Sequence, residues 1–354
     1  MLSAERLGDI SSMTARKRIG FAVVGLGKIA QGSVLPAFAN SKHAKLVALV
    51  SRDPKKATRL ARKFGAGTVY TNDEYAACLA NREVSALYIA TPPGDHARLT
   101  IAAAEAGKHV LCEKPLAATS EQSAAMADAC KKHGVLLMTA YRKYYEPSTL
   151  HLKQLIQSGK LGRIDVIHTA FSELYSPGVS QSWLVDPTLA GGGPLMDLGV
   201  YCVNTSRWLV DENPTEATAQ SWVHDNAKFQ AVEEGISFRL RFPSGLVVHA
   251  SSTYGAALSS FIFVQGTKGW ASLAPVFPFD EVRRLNGKSG KREFARTFKV
   301  MDEFALEIDA LASAIRNNRA VEADGDEGHR DVLILEAIYE SARTKQPVSI
   351  KYRA

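Results

Sequence analysis

The chain is poor in sulfur: four cysteines, Cys78, Cys112, Cys130 and Cys202, in 354 residues, and no two of them form a CxxC pair. This excludes a disulfide scaffold or a zinc ribbon and leaves isolated thiols of the structural, reduced kind. No His, Cys or Asp cluster has the spacing of metal ligands, so no metal is expected. No apolar run is long enough to cross a bilayer, so no membrane is expected as a partner. The first 18 residues, MLSAERLGDISSMTARKR, lack the apolar centre of a secretory signal, and a cytoplasmic protein with an N-terminal arm over residues 1–18 is the expectation. Charge of one sign is scarce as well. The 43 Lys and Arg are dispersed among 36 Asp and Glu, the formal net charge is +7, and no nucleic-acid motif accompanies the excess, which excludes a nucleic-acid partner. What remains, 46% hydrophobic and 22% charged, is a globular composition long enough for about two domains.

The stretch from Gly20 to Asp53 organises the chain. An apolar run, Ile19 to Val24, enters GLGKIA, and a second apolar run, Leu46 to Val50, follows about 20 residues later, the spacing of a strand, helix, strand unit. Gly25 suits the tight turn, Gly27 the approach of a pyrophosphate to backbone N–H groups, and the small Ala30 close packing of helix on strand. Lys28 and Ile29 open the helix whose N-terminus faces the anion. The second strand ends on Ser51 and Arg52, with Lys55 and Lys56 behind, where an NAD site places an acid for the ribose 2′-hydroxyl. Hydroxyl and cations suit a 2′-phosphate, so NADP is the expected cofactor. Asp53, followed by Pro54, reads as the cap of a helix from Lys55 to Phe64.

Strands over Gly67 to Tyr70, Ala86 to Ala90, His109 to Cys112 and Val135 to Thr139 alternate with helices over Asp73 to Ala80, His96 to Ala106 and Ser120 to His133, which means a parallel sheet. Two loops reach the carboxyl edge where such sheets bind ligands. One is Thr91-Pro92-Pro93-Gly94-Asp95-His96 and the other Glu113-Lys114-Pro115. His96 either caps its helix or lies by the cofactor. Tyr141, Arg142, Tyr144 and Tyr145 are expected to line the crevice from the end of the last strand.

Beyond Glu146 a helix over Thr149 to Ser158 leads into polar-alternating strands. The clearest is Ile236, Phe238, Leu240 and Phe242 interleaved with Ser237, Arg239 and Arg241, and others lie at Ile164 to Phe171, Thr215 to His224, Leu246 to Tyr254, Phe261 to Gly266 and Phe294 to Val300. They predict one large, mostly antiparallel sheet. Helices over Phe304 to Ile315 and Val332 to Ala342 close the chain and are expected to pack back. The fold class is therefore α/β: a Rossmann NADP-binding domain over 19–142, then an α+β domain with an open sheet over 143–354.

The chemistry centres on GGGPLMDLGVY, where three glycines and a proline start a helix and the i, i+4 spacing puts Asp197 and Tyr201 on one face. Trp183 upstream either stacks near the nicotinamide or sits in the core. Taken in order, GLGKIA, TPPGDHA, CEKP, GGGPLMDLGVY and GHRDVLILEAIYESARTKQPV resemble the glucose-fructose oxidoreductase family of NAD(P)-dependent sugar oxidoreductases over essentially the whole chain. The resemblance implies a sugar bound between the domains, a homo-oligomer (dimer or tetramer) built through the open sheet, and Lys114 as the EKP lysine. It sets Tyr201 where many members carry histidine, as in glucose-fructose and aldose-aldose oxidoreductases, and so implies oxidation of the aldose C1, in some members with NADP held through the cycle.

Tyr201 is then the base, Lys114 lowers its pKa towards phenolate, Asp197 accepts from sugar hydroxyls, and Tyr144 is a further sugar contact. Relatives often have arginine directly after the tryptophan, where this chain has Leu184. The alternatives are an aldose dehydrogenase or anhydrofructose-type reductase with exchangeable cofactor, and a non-catalytic regulator that senses NADP and sugar.

Overall fold

The computed structural model describes residues 18–175 and 179–353; the arm expected over residues 1–18 lies, but for Arg18, outside the described residues. Six parallel strands form the first sheet: β1 (Ile19–Val24), β2 (Ala44–Val50), β3 (Thr68–Tyr70), β4 (Ala86–Ile89), β5 (His109–Cys112) and β6 (Leu137–Thr139), in the order β3-β2-β1-β4-β5-β6. The order reverses between β1 and β4. That switch opens a crevice at the carboxyl ends of the strands. The strands are apolar on both faces because helices cover both: α1 (Leu35–Asn40), α2 (Pro54–Phe64), α3 (Tyr75–Ala80), α4 (Pro93–Glu105) and α5 (Ser120–Lys132).

Asp53 caps α2, its carboxylate accepting from Lys56 N, as its place before Pro54 predicts. Helix α4 departs from expectation. It begins at Pro93, three residues earlier than the predicted start at His96, because a proline at the first helical position needs no N–H partner and already has a helical φ.

Helix α6 (Pro147–Gln157) leads to the second sheet, of nine strands. These are β7 (Ile164–Ser172), β8 (Glu216–Trp222), β9 (Gly235–Arg241), β10 (Val247–Thr253), β11 (Ser259–Gly266), β12 (Gly269–Ala274), β13 (Arg283–Ser289), β14 (Arg292–Phe298) and β15 (Val348–Ser349). Their order is β14-β13-β12-β11-β7-β10-β9-β8-β15, antiparallel throughout except for the β10–β7 pair. One face carries the core, with Ile167, Phe171, Ile236, Leu240, Val248, Ile262 and Leu273 buried beneath α8 (Val200–Val210), α6 and α10 (Gly325–Thr344). The opposite face presents Phe261 and Trp270, each about one-third exposed, beside the stacked rings of His168 and His249.

The short α7 (Pro187–Ala190) stands before the glycine run, and α9 (Glu303–Asn317) returns to the first sheet. There the α9 residue Asp309 accepts from Ser41 Oγ and from the N–H groups of Lys42 and His43. Helix α10 packs on α5 and β8. Among the described residues the four cysteines are buried and unpaired, and no helix is long and apolar enough to cross a membrane.

Candidate active site

Three backbone devices meet in the crevice. Gly25 turns the chain out of β1 with φ +88°, and a Cβ there would lie 2.7 Å from the Ala90 carbonyl oxygen, so only glycine fits. Gly27 differs, because a Cβ there would meet nothing within 4 Å. Protein packing does not require that glycine, and the open space above it is where a pyrophosphate would approach. The helix that follows, through the wide turn Ala30–Val34 into α1, has no side-chain cap at Ile29, which leaves its N-terminal N–H groups available to an anion.

Across the switch point, Thr91 Oγ1 is buried without a hydrogen-bond partner among the described residues. An orphan hydroxyl at this edge, the empty space over Gly27 and the uncapped helix together fit a dinucleotide phosphate. At the end of β2 the buried Ser51 Oγ accepts from Asp53 N and keeps its own O–H to donate, while Arg52 next to it is exposed and Lys56 half-buried. Asp53 is committed to its cap and is not free for a ribose. The residues at this edge suit a 2′-phosphate.

The second set of groups lies where the two sheets face each other. Lys114, joined to Pro115 by a cis bond, extends from the end of β5 to the helix that begins as a wide turn, Leu195–Gly199, and continues as α8. Its Nζ donates to Asp197 Oδ1 at 2.7 Å and to the Asp197 carbonyl at 2.8 Å. Tyr254, from the end of β10, donates to Asp197 Oδ2 at 2.9 Å. Burial works against both charges, yet Asp197, Tyr201 and Glu113 hold the Lys114 pKa above that of an ordinary lysine. Against the same burial penalty, Lys114 and Tyr254 hold Asp197 below the usual carboxylate range. The pair is an ammonium and a carboxylate at neutral pH.

Tyr201, one helical turn after Asp197, is enclosed by Phe171 and Phe277 at ring distances of 5.8 and 5.5 Å. Lys114 Nζ lies 4.8 Å from its ring centroid and the Arg142 guanidinium 5.0 Å. Burial raises the Tyr201 pKa, and Arg142 and Lys114 oppose the rise without reversing it. Lys114 pulls the Tyr201 pKa down, as expected of it, but the expected phenolate is corrected because burial outweighs that pull. Desolvation wins, and the side chain is a phenol at neutral pH.

A narrow cleft opens onto Lys114, Asp197 and Tyr254 and is lined as well by Trp183 and Leu184. Trp183 therefore faces the cleft and not the core. A wider depression on the outer face of α2, lined by Pro54, Lys55, Thr58, Arg59 and Arg62, contains none of these groups and is not the site.

Several expected site residues are placed elsewhere or otherwise engaged. Tyr144 does not reach the crevice. It donates to Glu327 Oε1, accepts from Asn204 and stacks on Trp208, in a buried cluster with Arg207 and Asp331. Tyr145 donates to the Met138 sulfur, so only Arg142 of that segment touches the site. Arg142 itself pairs with Glu303 and the Phe277 carbonyl, which removes it from phosphate binding. His96 is fully buried inside α4, its two ring nitrogens against the carbonyls of Thr91 and Leu116, so it fastens the two edge loops together instead of facing a ligand. Glu113 accepts from Tyr88 and from Lys114 N. Asp197 has both oxygens engaged, and its first task is to hold Lys114.

Sequence reasoning missed Tyr254 and Glu233. The carboxylate of Glu233 accepts from Gly193 N, Leu195 N and Tyr339 Oη and so holds the glycine run. Neither has a local signal, since both come from another strand or loop.

Residues 19–141 match the model of an oxidoreductase family with an NAD-binding Rossmann fold, and residues 149–272 match that of a GFO/IDH/MocA C-terminal domain. The chain is 32% identical over 332 residues to a D-xylose 1-dehydrogenase (NADP(+)) of Haloferax volcanii, covering 93% of this chain and 99% of the relative. A D-xylose 1-dehydrogenase [NADP(+)] of Haloarcula marismortui is 31% identical, with 94% of this chain and 93% of the relative covered. Among solved structures, the aldose-aldose oxidoreductase of Caulobacter crescentus complexed with glycerol superposes with a TM-score of 0.89 at 32% identity, over 94% of this chain and all of the other.

Proposed function

The chain belongs to the GFO/IDH/MocA oxidoreductase family, and from that premise we propose that it is an NADP-dependent sugar oxidoreductase that oxidises C1 of an aldose to the lactone and reduces a second aldose or ketose to an alditol. The observation that carries this reading is the packing of Tyr201 against both Lys114, which lines the cleft, and Arg142 behind it, with no histidine at that position. The names of the xylose dehydrogenases and of the aldose-aldose oxidoreductase support it.

Oxidation at C1 removes a hydride from carbon and a proton from the hydroxyl. NADP, when bound, supplies the hydride acceptor and, in its reduced form, the donor. The protein handles the proton. Tyr201 Oη takes it from the C1 hydroxyl as phenolate and returns it to the second carbonyl as phenol. Lys114 fixes the oxygen of the reacting sugar by hydrogen bonding and stabilises negative charge there; Asp197 and Tyr254 fix Lys114. Gly25, Gly27, Lys28, Ile29, Ser51, Arg52, Lys56, Thr91 and Pro92 form the cofactor side, with Trp183 lining the cleft. Assembly through the uncovered sheet face as a dimer or tetramer belongs to the same reading.

A second reading has the cofactor exchange at each turnover. Leu184 favours it, since an apolar side chain in the cleft wall replaces the arginine expected after the tryptophan. Near-ultraviolet absorbance of freshly purified protein, read first without added nucleotide, separates the two. Glucose or xylose should generate reduced nicotinamide stoichiometric with protein, and a second sugar should consume it. Reduction only after NADP is supplied selects the exchanging enzyme, and no reduction by any aldose with NADP present ends the proposal.

A further inference from the structure

Behind Tyr201 three buried cations converge on one carboxylate. Arg142 Nη1 donates to Glu303 Oε2 at 2.6 Å and Nη2 to the Phe277 carbonyl at 2.8 Å. Lys143 Nζ donates to Glu303 Oε1 at 2.9 Å, and Arg283 pairs with the same oxygen. All four side chains are buried. A second carboxylate, Glu146, lies 3.9 Å from Arg283 Nε and already accepts from Ser148 and Thr149, and Glu113, at the end of β5, acts on both Arg142 and Tyr201, opposing the ionisation of the latter. Three cations thus converge on the single carboxylate of Glu303, and the interior tolerates such crowding poorly unless an anion joins it or a cation sheds its proton. Arginine cannot shed one; lysine can.

Glu303 and the Phe277 carbonyl fix one edge of the Arg142 guanidinium, and the plane of Tyr201 is its next neighbour. Moving this cation by a side-chain rotation would break two buried hydrogen bonds. We propose that Arg142 is a positioning residue of the acid–base centre, held by Glu303 so that its charge, together with that of Lys114, supports the phenolate of Tyr201. The inference rests on Tyr201 being the acid–base group. Lys143 plays the opposite part. Burial, only partly offset by Glu303 and reinforced by Arg142 and Arg283, brings its pKa down to about 7. Above neutrality it becomes a neutral amine and leaves the Glu303 charge to the two arginines. The charged groups facing Lys143 are Glu303 from α9, Arg283 from β13 and Arg142 from its own turn, with Glu146 behind Arg283. Tyr201 releases its proton in the alkaline range, where Lys143 is already neutral, so the ionisation of Tyr201 should depend on Arg142 and not on Lys143.

The test is an optical titration of tyrosinate, taken as the difference between each protein and the same protein carrying Tyr201→Phe, with circular dichroism to confirm folding. Arg142→Gln should move the Tyr201 ionisation upward by about one unit or more, the usual size for removal of an opposite charge at this range. Arg142→Lys, which keeps a charge but not the fork, should fall between that variant and the native protein, and it carries the test if the glutamine variant fails to fold. Lys143→Met should leave the ionisation in place. If both Arg142 variants titrate as the native protein does, or if Lys143→Met shifts Tyr201 as far as Arg142→Gln, the assignment is overturned. No sugar is needed for this titration, so a failure to turn over aldose bears only on the proposed function.

Discussion

At the residue scale, the three groups of the proposed acid–base centre stood out in the sequence for a local reason. Lys114 stands between an acid and a proline at a strand end, and Asp197 and Tyr201 are one helical turn apart. Arg142 was expected at the crevice, but Tyr254 and Glu303, and the pairing of Arg142 with Glu303, come through tertiary folding and were not legible, so the charge balance could not be read. That balance decides the pH dependence. Tyr201 has a raised pKa, so at neutral pH it is protonated, ready to donate and not to accept. Reduction of a carbonyl should therefore be flat in pH up to the alkaline range, whereas kcat/KM for aldose oxidation should climb with pH as phenolate appears. Tyr201→Phe should lower turnover by about 10²- to 10⁴-fold, the usual share of a positioned acid–base group, and abolish the alkaline climb. Initial rates in both directions across pH check this, and a phenylalanine variant that keeps the climb would remove Tyr201 from the mechanism.

At the element scale, most strands and helices appear within a few residues of where periodicity puts them. The exceptions have physical causes. Strands β12, GWASLA, and β13, RRLNGKS, alternate apolar with glycine, arginine and lysine, too weak a pattern to see, and they are strands because β11 and β14 pair with them. The helix bearing Asp197 and Tyr201 was expected from its glycines and proline, but its N-terminus has no side-chain cap of its own. Glu233, from the loop before β9, does that work by accepting from Gly193 N and Leu195 N, with Tyr339 steadying it. Glu233→Ala leaves Leu195 N without an acceptor, at roughly 1–3 kcal/mol, and leaves Gly193 N with Tyr339 Oη alone. The unfolding midpoint should drop and kcat should fall with it, because the helix start carries Asp197. Glu233→Gln, which can still accept, should recover most of both. Calorimetry with steady-state rates tests the pair of variants, and an alanine variant with native kcat would show that the helix start does not need the cap.

At the scale of the whole molecule, α9 is the element that ties the two sheets together, and the sequence disclosed only its apolar stripe. On its polar side Glu303 serves the Arg142 cluster, Asp309 the turn after α1, and Glu307 a contact that crosses to the first sheet. Tyr88 Oη, in β4, lies 2.9 Å from Glu307 Oε1 and 2.9 Å from Glu113 Oε1. One phenolic proton cannot satisfy two carboxylates, so one of the acids must hold a proton. Burial raises the Glu113 pKa, but Lys114, the Tyr88 hydroxyl and Arg142 all oppose that rise and favour its ionised form over that of Glu307. Glu307 is fully buried, its Oε2 has no partner among the described residues, and burial followed by repulsion from Glu113 pushes its pKa well above the ordinary value. Glu307 is therefore the protonated acid that donates to Tyr88, which donates in turn to Glu113. A carboxyl whose folded pKa is raised binds more protons in the native state. It adds stability below its unfolded value, about 4.3, and that contribution drains away as pH rises towards the folded value, at up to about 1.4 kcal/mol per pH unit. Glu307→Gln keeps a donor for Tyr88 and has nothing to titrate. The variant should match the native protein, or fall slightly below it, at about pH 4.5, and exceed it in unfolding free energy at about pH 8. Denaturant unfolding at the two pH values measures the difference. A glutamine variant that is less stable by the same amount at both would mean that Glu307 is ionised in the folded protein and that the proton of this chain resides on Glu113.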